Sequence, residues 1–382
     1  MPAPMPLKIN HKNLRTWIEV DTSALEHNYK IFRQLAGKQR LMAVIKSNAY
    51  GHGLVGCGKF FNKIGADWFG VDSAPEALTL RRERISKPIL VLGYTLPANL
   101  EVMASHEVRV TVSTFETLND IKNKKKILSA EGRKLIVHVK IDTGMHRQGF
   151  LLEQVSEVIK ILKQMPYVKV EGVYTHLAEP ASKKFDAKTK KQFDIFDEAV
   201  SLFEQAGFDL IKHTLATPGA LAFPNQKYDM VRIGLGLYGV WPNKEIIKRC
   251  SKTKLKPALI WKTVISEIKD VKAGEAVGYG FTETLTKKTK LAICPVGYWH
   301  GYPRALSSVG QVLIGDKKAR IVGRVSMDMI IVDVSRIASA KVGTEVTLLD
   351  SHVLATDMAE ATNTIGYEIV TRINPLIERF YI

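Results

Sequence analysis

The feature that most constrains this chain is an alternation. Short β-branched runs give way to helical segments, again and again, from about residue 20 to 240. The runs fall at residues 41–45, 68–71, 89–92, 108–112, 135–141, 168–175, 211–216 and 230–233. Helical patterns lie between them, as at 75–85 and 151–162. Strand and helix in strict succession predict a parallel sheet with helical crossovers. Eight such units in about 220 residues predict a closed (β/α)8 barrel. An open doubly wound sheet is the alternative, but it is usually announced by a Gly-x-Gly-x-x-Gly turn after the first strand. Here the first strand runs into Lys46.

After residue 245 the texture changes. Runs at 260–268, 290–294, 311–314, 319–322, 329–334 and 345–349 read as strands, separated by turn signals such as Lys272-Ala-Gly and Lys341-Val-Gly. Helical periodicity returns only at 355–364. The predicted organisation is an α/β chain with two domains. Residues 1–245 form a TIM-like barrel with an N-terminal arm, and residues 246–382 form a mostly β domain.

Composition excludes several classes. No run approaches the roughly 20 apolar residues of a membrane span. The opening residues MPAPMPLKIN lack the apolar stretch of a secretory leader, so a cytoplasmic protein is expected. Cys57, Cys250 and Cys294 are far apart and lack metal spacing; they read as reduced thiols, with no metal site. The net charge of +17, from 55 basic and 38 acidic residues, raises a nucleic-acid hypothesis. But the excess is scattered lysine. The densest run, Lys122 to Lys126, has no interleaved aromatics and reads as a solvated helix end, so neither nucleic acid nor membrane is an expected partner.

In a parallel barrel, working groups sit where strands end. Lys46 ends the first strand, Lys140 and Asp142 the fifth, His176 the sixth, and Arg232 lies at the end of the eighth. Any one of them could be structural; their convergence on one rim is the informative part. An apolar strand places the Lys46 ammonium where desolvation lowers its pKa, which favours Schiff-base chemistry. The loops after strands seven and eight commonly bind phosphate in such barrels. Here they read Thr217-Pro-Gly and Gly234-Leu-Gly, so backbone N–H groups of Gly219, Gly234 and Leu235 could face an anion.

These segments resemble the alanine racemase family of fold-type-III pyridoxal phosphate enzymes. Ala43-Val-Ile-Lys-Ser-Asn-Ala-Tyr-Gly-His-Gly is similar to the family's cofactor-lysine signature. Trp17-Ile-Glu-Val-Asp, Ala24-Leu-Glu-His-Asn, Lys140-Ile-Asp-Thr-Gly-Met-His-Arg, Val231-Arg-Ile-Gly, Pro295-Val-Gly-Tyr, Val322-Gly-Arg-Val-Ser-Met-Asp and Gly366-Tyr-Glu resemble further blocks in order. The resemblance implies interconversion of L- and D-alanine through a pyridoxal phosphate aldimine, supplying D-alanine for peptidoglycan. It implies Lys46 as cofactor lysine and one base, with Tyr298 as the base on the opposite face. Arg232 would contact the pyridine nitrogen, with His176 between it and Tyr298. Tyr50, Gly234, Leu235 and Tyr367 would hold the phosphate. Arg147, Met327 and Asp328 would meet the substrate carboxylate, and Lys140 would carry a carbamate, as in some relatives, and orient Arg147. A head-to-tail homodimer with composite sites is implied as well.

The physics of these roles stands beside the resemblance. Inversion at a carbon needs a proton removed on one face and returned on the other, which two different bases do without moving. An arginine at the pyridine nitrogen cannot release a proton, so it leaves the electron sink weak and the carbanion quickly reprotonated. A tyrosine base needs a pKa below the usual value of about 10, which a cationic network through His176 and Arg232 would supply.

Three segments depart from the family pattern: Thr217-Pro-Gly replaces Asn-Ser-Ala, Trp299-His-Gly replaces Ala-Asp-Gly, and Leu177-Ala-Glu-Pro-Ala follows His176. Rival readings are a serine or broad-specificity racemase, a barrel-type pyridoxal phosphate decarboxylase, a non-catalytic cofactor-binding barrel, and a basic nucleic-acid binder. Arg232 argues against the decarboxylase, and the β domain with Tyr298 against the non-catalytic barrel.

Overall fold

Strand β1 (Thr16–Val20) comes first in the chain, yet the barrel is built from the eight strands after it. The computed structural model describes residues 10–128, 134–226 and 228–382. The N-terminal stretch, expected to hold no secretory leader, lies up to residue 9 outside the described residues.

The barrel strands are β2 (Arg40–Val44), β3 (Trp68–Val71), β4 (Ile89–Val91), β5 (Val108–Val112), β6 (Leu135–Lys140), β7 (Val168–Tyr174), β8 (Ile211–His213) and β9 (Met230–Ile233). Each pairs in parallel with the next from β2 to β8, and β9 pairs with β2. An Ala216–Arg232 bridge and the bond from Arg232 N to Leu215 O (2.8 Å) join the remaining edges. A barrel follows from a parallel sheet that has no way to leave an edge unpaired. All eight predicted strands are present.

Local rules account for the helices outside the barrel. Thr114 caps Phe115–Asn123 by accepting the Thr117 N–H, and Pro75 fills the first turn of Ala74–Arg82, where no donor is needed. The long helix Asp186–Gln205 buries Phe193, Phe196, Val200 and Phe203, a stripe at helical spacing. Each such phenyl contributes roughly 1.5–3 kcal/mol by leaving water.

The barrel interior is unusual for its polarity. His138 and His213 have no exposed surface, and Arg232, Lys140 and Thr111 are buried beside them. Such interiors are ordinarily filled by Val, Ile and Leu, so these side chains need partners, and their positions mark the site described below.

The second unit comprises the described residues up to Leu25 together with Lys256–Ile382, while Glu26–Leu255 form the barrel unit. This division differs from the one expected, 1–245 and 246–382. Its reason lies in pairing. The strands here are β10 (Leu259–Val264), β11 (Glu267–Val271), β12 (Ala276–Val277), β13 (Glu283–Thr284), β14 (Thr289–Cys294), β15 (Gln311–Ile314), β16 (Lys317–Arg320), β17 (Ile330–Asp333), β18 (Glu345–Leu349) and β19 (Arg379–Tyr381). One sheet runs β16-β15-β18-β10-β1-β19, so the N-terminal strand is locked between C-terminal ones. A second sheet runs β11-β14-β17. The single strand expected at 260–268 is therefore two. Ile265 N bonds Thr344 O and Ser266 N bonds Ile293 O, so the chain changes sheets between these residues.

Among the described residues no helix is long and apolar enough to cross a membrane. The three cysteines are free thiols, two of them buried.

Candidate active site

The lysine at the end of β2 is delivered by a strained turn. Ser47, Asn48, Ala49 and Tyr50 have φ of 54°, 56°, 52° and 53°, a left-handed turn without a glycine. Such a conformation costs about 1–2 kcal/mol per residue, so it persists only if something holds it. Glu76 does. Its Oε1 accepts from Ser47 N (2.7 Å) and Asn48 N (3.4 Å), and its Oε2 from Asp72 N (2.8 Å). Asn48 Oδ1 accepts from Leu54 N (2.9 Å) and closes the loop. Lys46 Nζ then lies 2.9 Å from Asp72 Oδ1, with the two side chains 36% and 52% exposed. The sequence reading expected a desolvated lysine. The structure instead gives Lys46 a water-accessible counter-charge, because the strand ends two residues before the side chain that matters.

The turn places the Tyr50 ring beside β9. Tyr50 is buried, its ring 5.4 Å from that of Tyr238, and Tyr238 Oη donates to Val44 O (3.2 Å). A Cβ at Gly234 would stand 2.6 Å from the Tyr50 hydroxyl, so glycine is required there. The hydroxyl of Thr217 accepts from Gly234 N (3.2 Å) and Gly236 N (3.3 Å), tying the two loops together. Of the three backbone donors expected to face an anion, Gly234 is thus committed to Thr217. Gly219 and Leu235 lie in the first turns of Thr217–Ala222 and Leu235–Tyr238, where backbone N–H groups have no partner within the turn, and both are buried. Pro218 falls in a first turn too, where a missing N–H costs nothing. Two buried donors, a tyrosine hydroxyl and a cradle without a Cβ fit a phosphate.

Arg232 is buried in the barrel. Its Nη1 donates to His213 O (2.8 Å) and His213 Nδ1 (3.0 Å), and its Nη2 to Thr175 O (2.7 Å), Thr214 O (3.1 Å) and His176 Nδ1 (3.3 Å). The guanidinium stacks 5.2 Å from the Tyr174 ring. Burial brings its pKa down to about 10, so it remains a cation at neutral pH. Both terminal nitrogens are engaged, and Nε–H is the donor without a partner among the described residues. His176 is held neutral, chiefly by burial and then by the charges of Arg232, Arg147, Lys140 and Lys46.

At the end of β6, Lys140 Nζ donates to Gln148 Oε1 (2.8 Å), and Gln148 Nε2 reaches Ser113 Oγ (3.3 Å). Burial, reinforced by Arg147, Arg232 and Lys46, lowers the Lys140 pKa to about 7. Asp142 shapes the loop beyond. Its carboxylate accepts from Gly144, Met145 and His146 N at 2.9–3.0 Å and from Arg147 N at 3.1 Å. Burial alone would raise its pKa, but these donors outweigh that and hold it low. Arg147 is exposed at the loop's end.

The remaining predicted residues, Tyr298, Met327, Asp328 and Tyr367, all lie in the β unit. Tyr298 N bonds Ser326 O (3.0 Å) and Trp299 N bonds Met327 O (3.0 Å), which brings Tyr298, Met327 and Asp328 onto two clasped loops. Gly297 permits the clasp, since a Cβ there would lie 2.2 Å from Ser326 O. Tyr298 itself is 43% exposed. His300 is buried and accepts from Gly297 N (3.2 Å), with its Nδ1 3.9 Å from Asp328; its partner in the departing pair, Trp299, is exposed. Tyr367 sits on Gly366–Thr371, whose Thr371 hydroxyl donates to Tyr367 O (2.7 Å). A groove beside Tyr298 is lined by Tyr302, Arg304, Thr364 and Arg372.

Sequence reasoning missed Asp72, Glu76, Gln148 and His213. Asp72 and Glu76 follow directly on β3, so a strand-end carboxylate followed by a second one turn later was the available signal.

Family models match along the chain: "Alanine racemase, N-terminal domain" over residues 20–242 and "Alanine racemase, C-terminal domain" over 258–381. An alanine racemase of Symbiobacterium thermophilum is 38% identical over 375 residues, covering 96% of this chain and 97% of that protein. "Alanine racemase 2" of Bacillus subtilis is 36% identical, covering 96% and 94%. Among solved structures, the alanine racemase of Clostridium difficile 630 superposes with a TM-score of 0.90 at 33% identity, covering 98% and 97% of the two chains. That of Bacillus anthracis, determined with bound L-Ala-P, gives 0.89 at 33% identity, covering 96% and 95%.

Proposed function

Because this chain belongs to the alanine racemase family, we propose that it interconverts L- and D-alanine with Lys46 and Tyr298 as bases on opposite faces of the substrate. The supply of D-alanine for peptidoglycan is the role that membership supports. Pyridoxal phosphate, when bound, supplies the sink for the electron pair left by the broken α C–H bond. Everything else is done by the chain.

Lys46 is the residue that would hold the cofactor, and its amine would move the proton on its own face of the substrate. The Tyr50 hydroxyl and the Gly219 and Leu235 N–H groups, with Gly234 leaving the room, hold the phosphate, joined by Tyr367. His176 bridges Arg232 toward the tyrosine base. Arg147, Met327 and Asp328 orient the substrate carboxylate. Lys140, near neutrality partly unprotonated, offers the amine form that adds carbon dioxide, so a carbamate beside Arg147 belongs to this reading.

The observation that carries the proposal is Arg232. Backbone carbonyls and two histidines fix the guanidinium so that its one remaining donor, Nε–H, is available to the pyridine nitrogen. A donor that stays protonated there keeps the nitrogen unprotonated and the sink weak, which suits reversible proton transfer.

We place Tyr298, Met327 and Asp328 against the barrel rim of a second copy, in a head-to-tail homodimer. Exposed apolar side chains of the same unit support it: Trp299 and Met329, chain neighbours of Tyr298 and Asp328, are more than half exposed, as are Tyr279, Phe281 and Ile365. Large exposed apolar side chains of this kind support a partner surface on this unit. A coupled assay with L-alanine, L-serine and larger amino acids, with and without added cofactor, tests the substrate. Alanine should give the highest kcat/KM; a preference for serine would replace this reading with the broader racemase.

A further inference from the structure

Beyond the contact of His213 with Arg232, the mechanism above leaves a line of three nearly buried side chains unexplained. His213 lies on β8, His138 on β6 and Glu171 on β7, and both histidines are completely buried. They form a line. His213 Nδ1 is 3.0 Å from Arg232 Nη1, and His213 Nε2 is 2.9 Å from His138 Nδ1. His138 Nε2 faces Glu171 Oε2 at 3.5 Å, too long and misaligned for a full hydrogen bond, so that contact is electrostatic. Glu171 is gripped at the far end by Arg109, through Nε (2.7 Å) and Nη2 (3.3 Å), and by Lys169 Nζ (3.1 Å).

The direction of this line is set from both ends, by a guanidinium that only donates and a carboxylate that only accepts. A guanidinium only donates, so His213 Nδ1 must accept. A neutral His213 then carries its proton on Nε2 and donates to His138 Nδ1. By the same logic His138 carries its proton on Nε2, aimed at the carboxylate. Both rings are neutral, since burial lowers both pKa values and the Arg232 charge adds to the effect. Run backwards, the line would aim an N–H of His213 at a cation and a bare nitrogen of His138 at a carboxylate, so each end opposes reversal in a dry interior.

The surroundings are shaped for it. Tyr174 stacks on His213 with centroids 4.7 Å apart and planes 5° from parallel, and Trp68 meets His138 edge-on at 5.4 Å. A Cβ at Gly172 would lie 2.4 Å from His138 Nδ1, so β7 leaves out a side chain where the ring stands.

We propose that His213, His138 and Glu171 are positioning residues for Arg232: their one-way line, hydrogen-bonded through the histidines and ending on an electrostatic contact with Glu171, holds His213 as the Nε2–H tautomer and thereby holds the guanidinium with Nε–H free for the cofactor's pyridine nitrogen. The role of Arg232 rests on the racemase reading. The tautomers do not.

Long-range 15N–1H correlation spectra of the histidine-labelled full chain test this, recorded with and without pyridoxal phosphate. His213 and His138 should each show a protonated Nε2 and a bare Nδ1 in both forms. Glu171→Gln replaces the carboxylate by an amide that can also donate, so the line can reverse. His213 should then lose its single tautomer, and kcat should fall about tenfold, the worth of one charge-assisted hydrogen bond, with KM changed less than twofold. Glu171→Asp should restore the tautomer and most of kcat. A His213 protonated on Nδ1 in the wild-type chain would overturn the proposal, as would a Glu171→Gln enzyme with kcat within twofold of wild type. The cofactor-free spectra involve no turnover, so they read the tautomers even if the racemase assay fails.

Discussion

The two units hold their functional residues in opposite ways. At the barrel mouth the turn before Tyr50 and the guanidinium of Arg232 are pinned from several directions. Glu76 clamps the turn that carries Lys46, and three backbone carbonyls and two histidines surround Arg232. In the β unit only the backbone is pinned. Gly297 lets two loops clasp, but Tyr298 and Met327 remain 43% and 54% exposed among other solvent-facing apolar groups. On the function proposed above, the difference teaches that cofactor attachment and electron demand would be preorganised within one chain, whereas the proposed second base would be completed by a surface of another copy. Preorganisation of the first kind is where enzymes gain most of their electrostatic advantage.

The sharpest break of this comparison is Lys46→Ala. It should reduce racemisation by about 10³-fold or more and abolish the visible absorbance of lysine-bound cofactor, while a β-unit variant leaves that absorbance in place. Met329→Asp is such a variant. In the homodimer proposed above, charging this exposed apolar group two residues from Met327 should weaken association about thirtyfold, seen by sedimentation, with activity falling on dilution and cofactor absorbance preserved. A dimer of undiminished affinity would remove this surface from the interface.

Within the barrel, Glu76→Ala should lower stability by about 1–3 kcal/mol, since three backbone N–H groups lose a charged acceptor, and denaturant unfolding measures it. No change would mean that the left-handed turn holds itself. A pH-dependent effect concerns Lys140. Its folded pKa is about 7 against an ordinary 10.5. Between those values the unfolded chain binds a proton that the folded chain does not, so stability contributed at this site rises with pH across that window. Below pH 7 both states are protonated and the folded protein carries the full cost of the buried charge. Lys140→Met should flatten the rise in urea midpoint between pH 7 and 9, measured in bicarbonate-free buffer.

Much of this architecture was legible because it is local. The eight barrel strands are bounded by turns and rich in β-branched residues, and strand ends point to Lys46, Lys140, His176 and Arg232 without any contact known. What escaped was non-local. β1 and β19 pair with each other across the length of the chain, and no local pattern marks residues so separated as partners. The sheet change at Ile265–Ser266 has no composition of its own. In the site, Glu76 reads as an ordinary acidic residue in a helix's first turn, and only its three N–H contacts reveal a second duty. His138 and His213 occupy strand positions where an apolar residue is the default, so their roles depend on each other. Gln148 follows Arg147 directly, yet its contact is with Lys140, eight residues back.

The most direct test is isotope exchange by Tyr298→Phe in deuterium oxide. With Lys46 working one face and a phenol needed for the other, the variant should place deuterium at the α-carbon of D-alanine with configuration retained, and exchange L-alanine at a small fraction of that rate. Equal exchange of both enantiomers would contradict two bases divided between the barrel and the β unit.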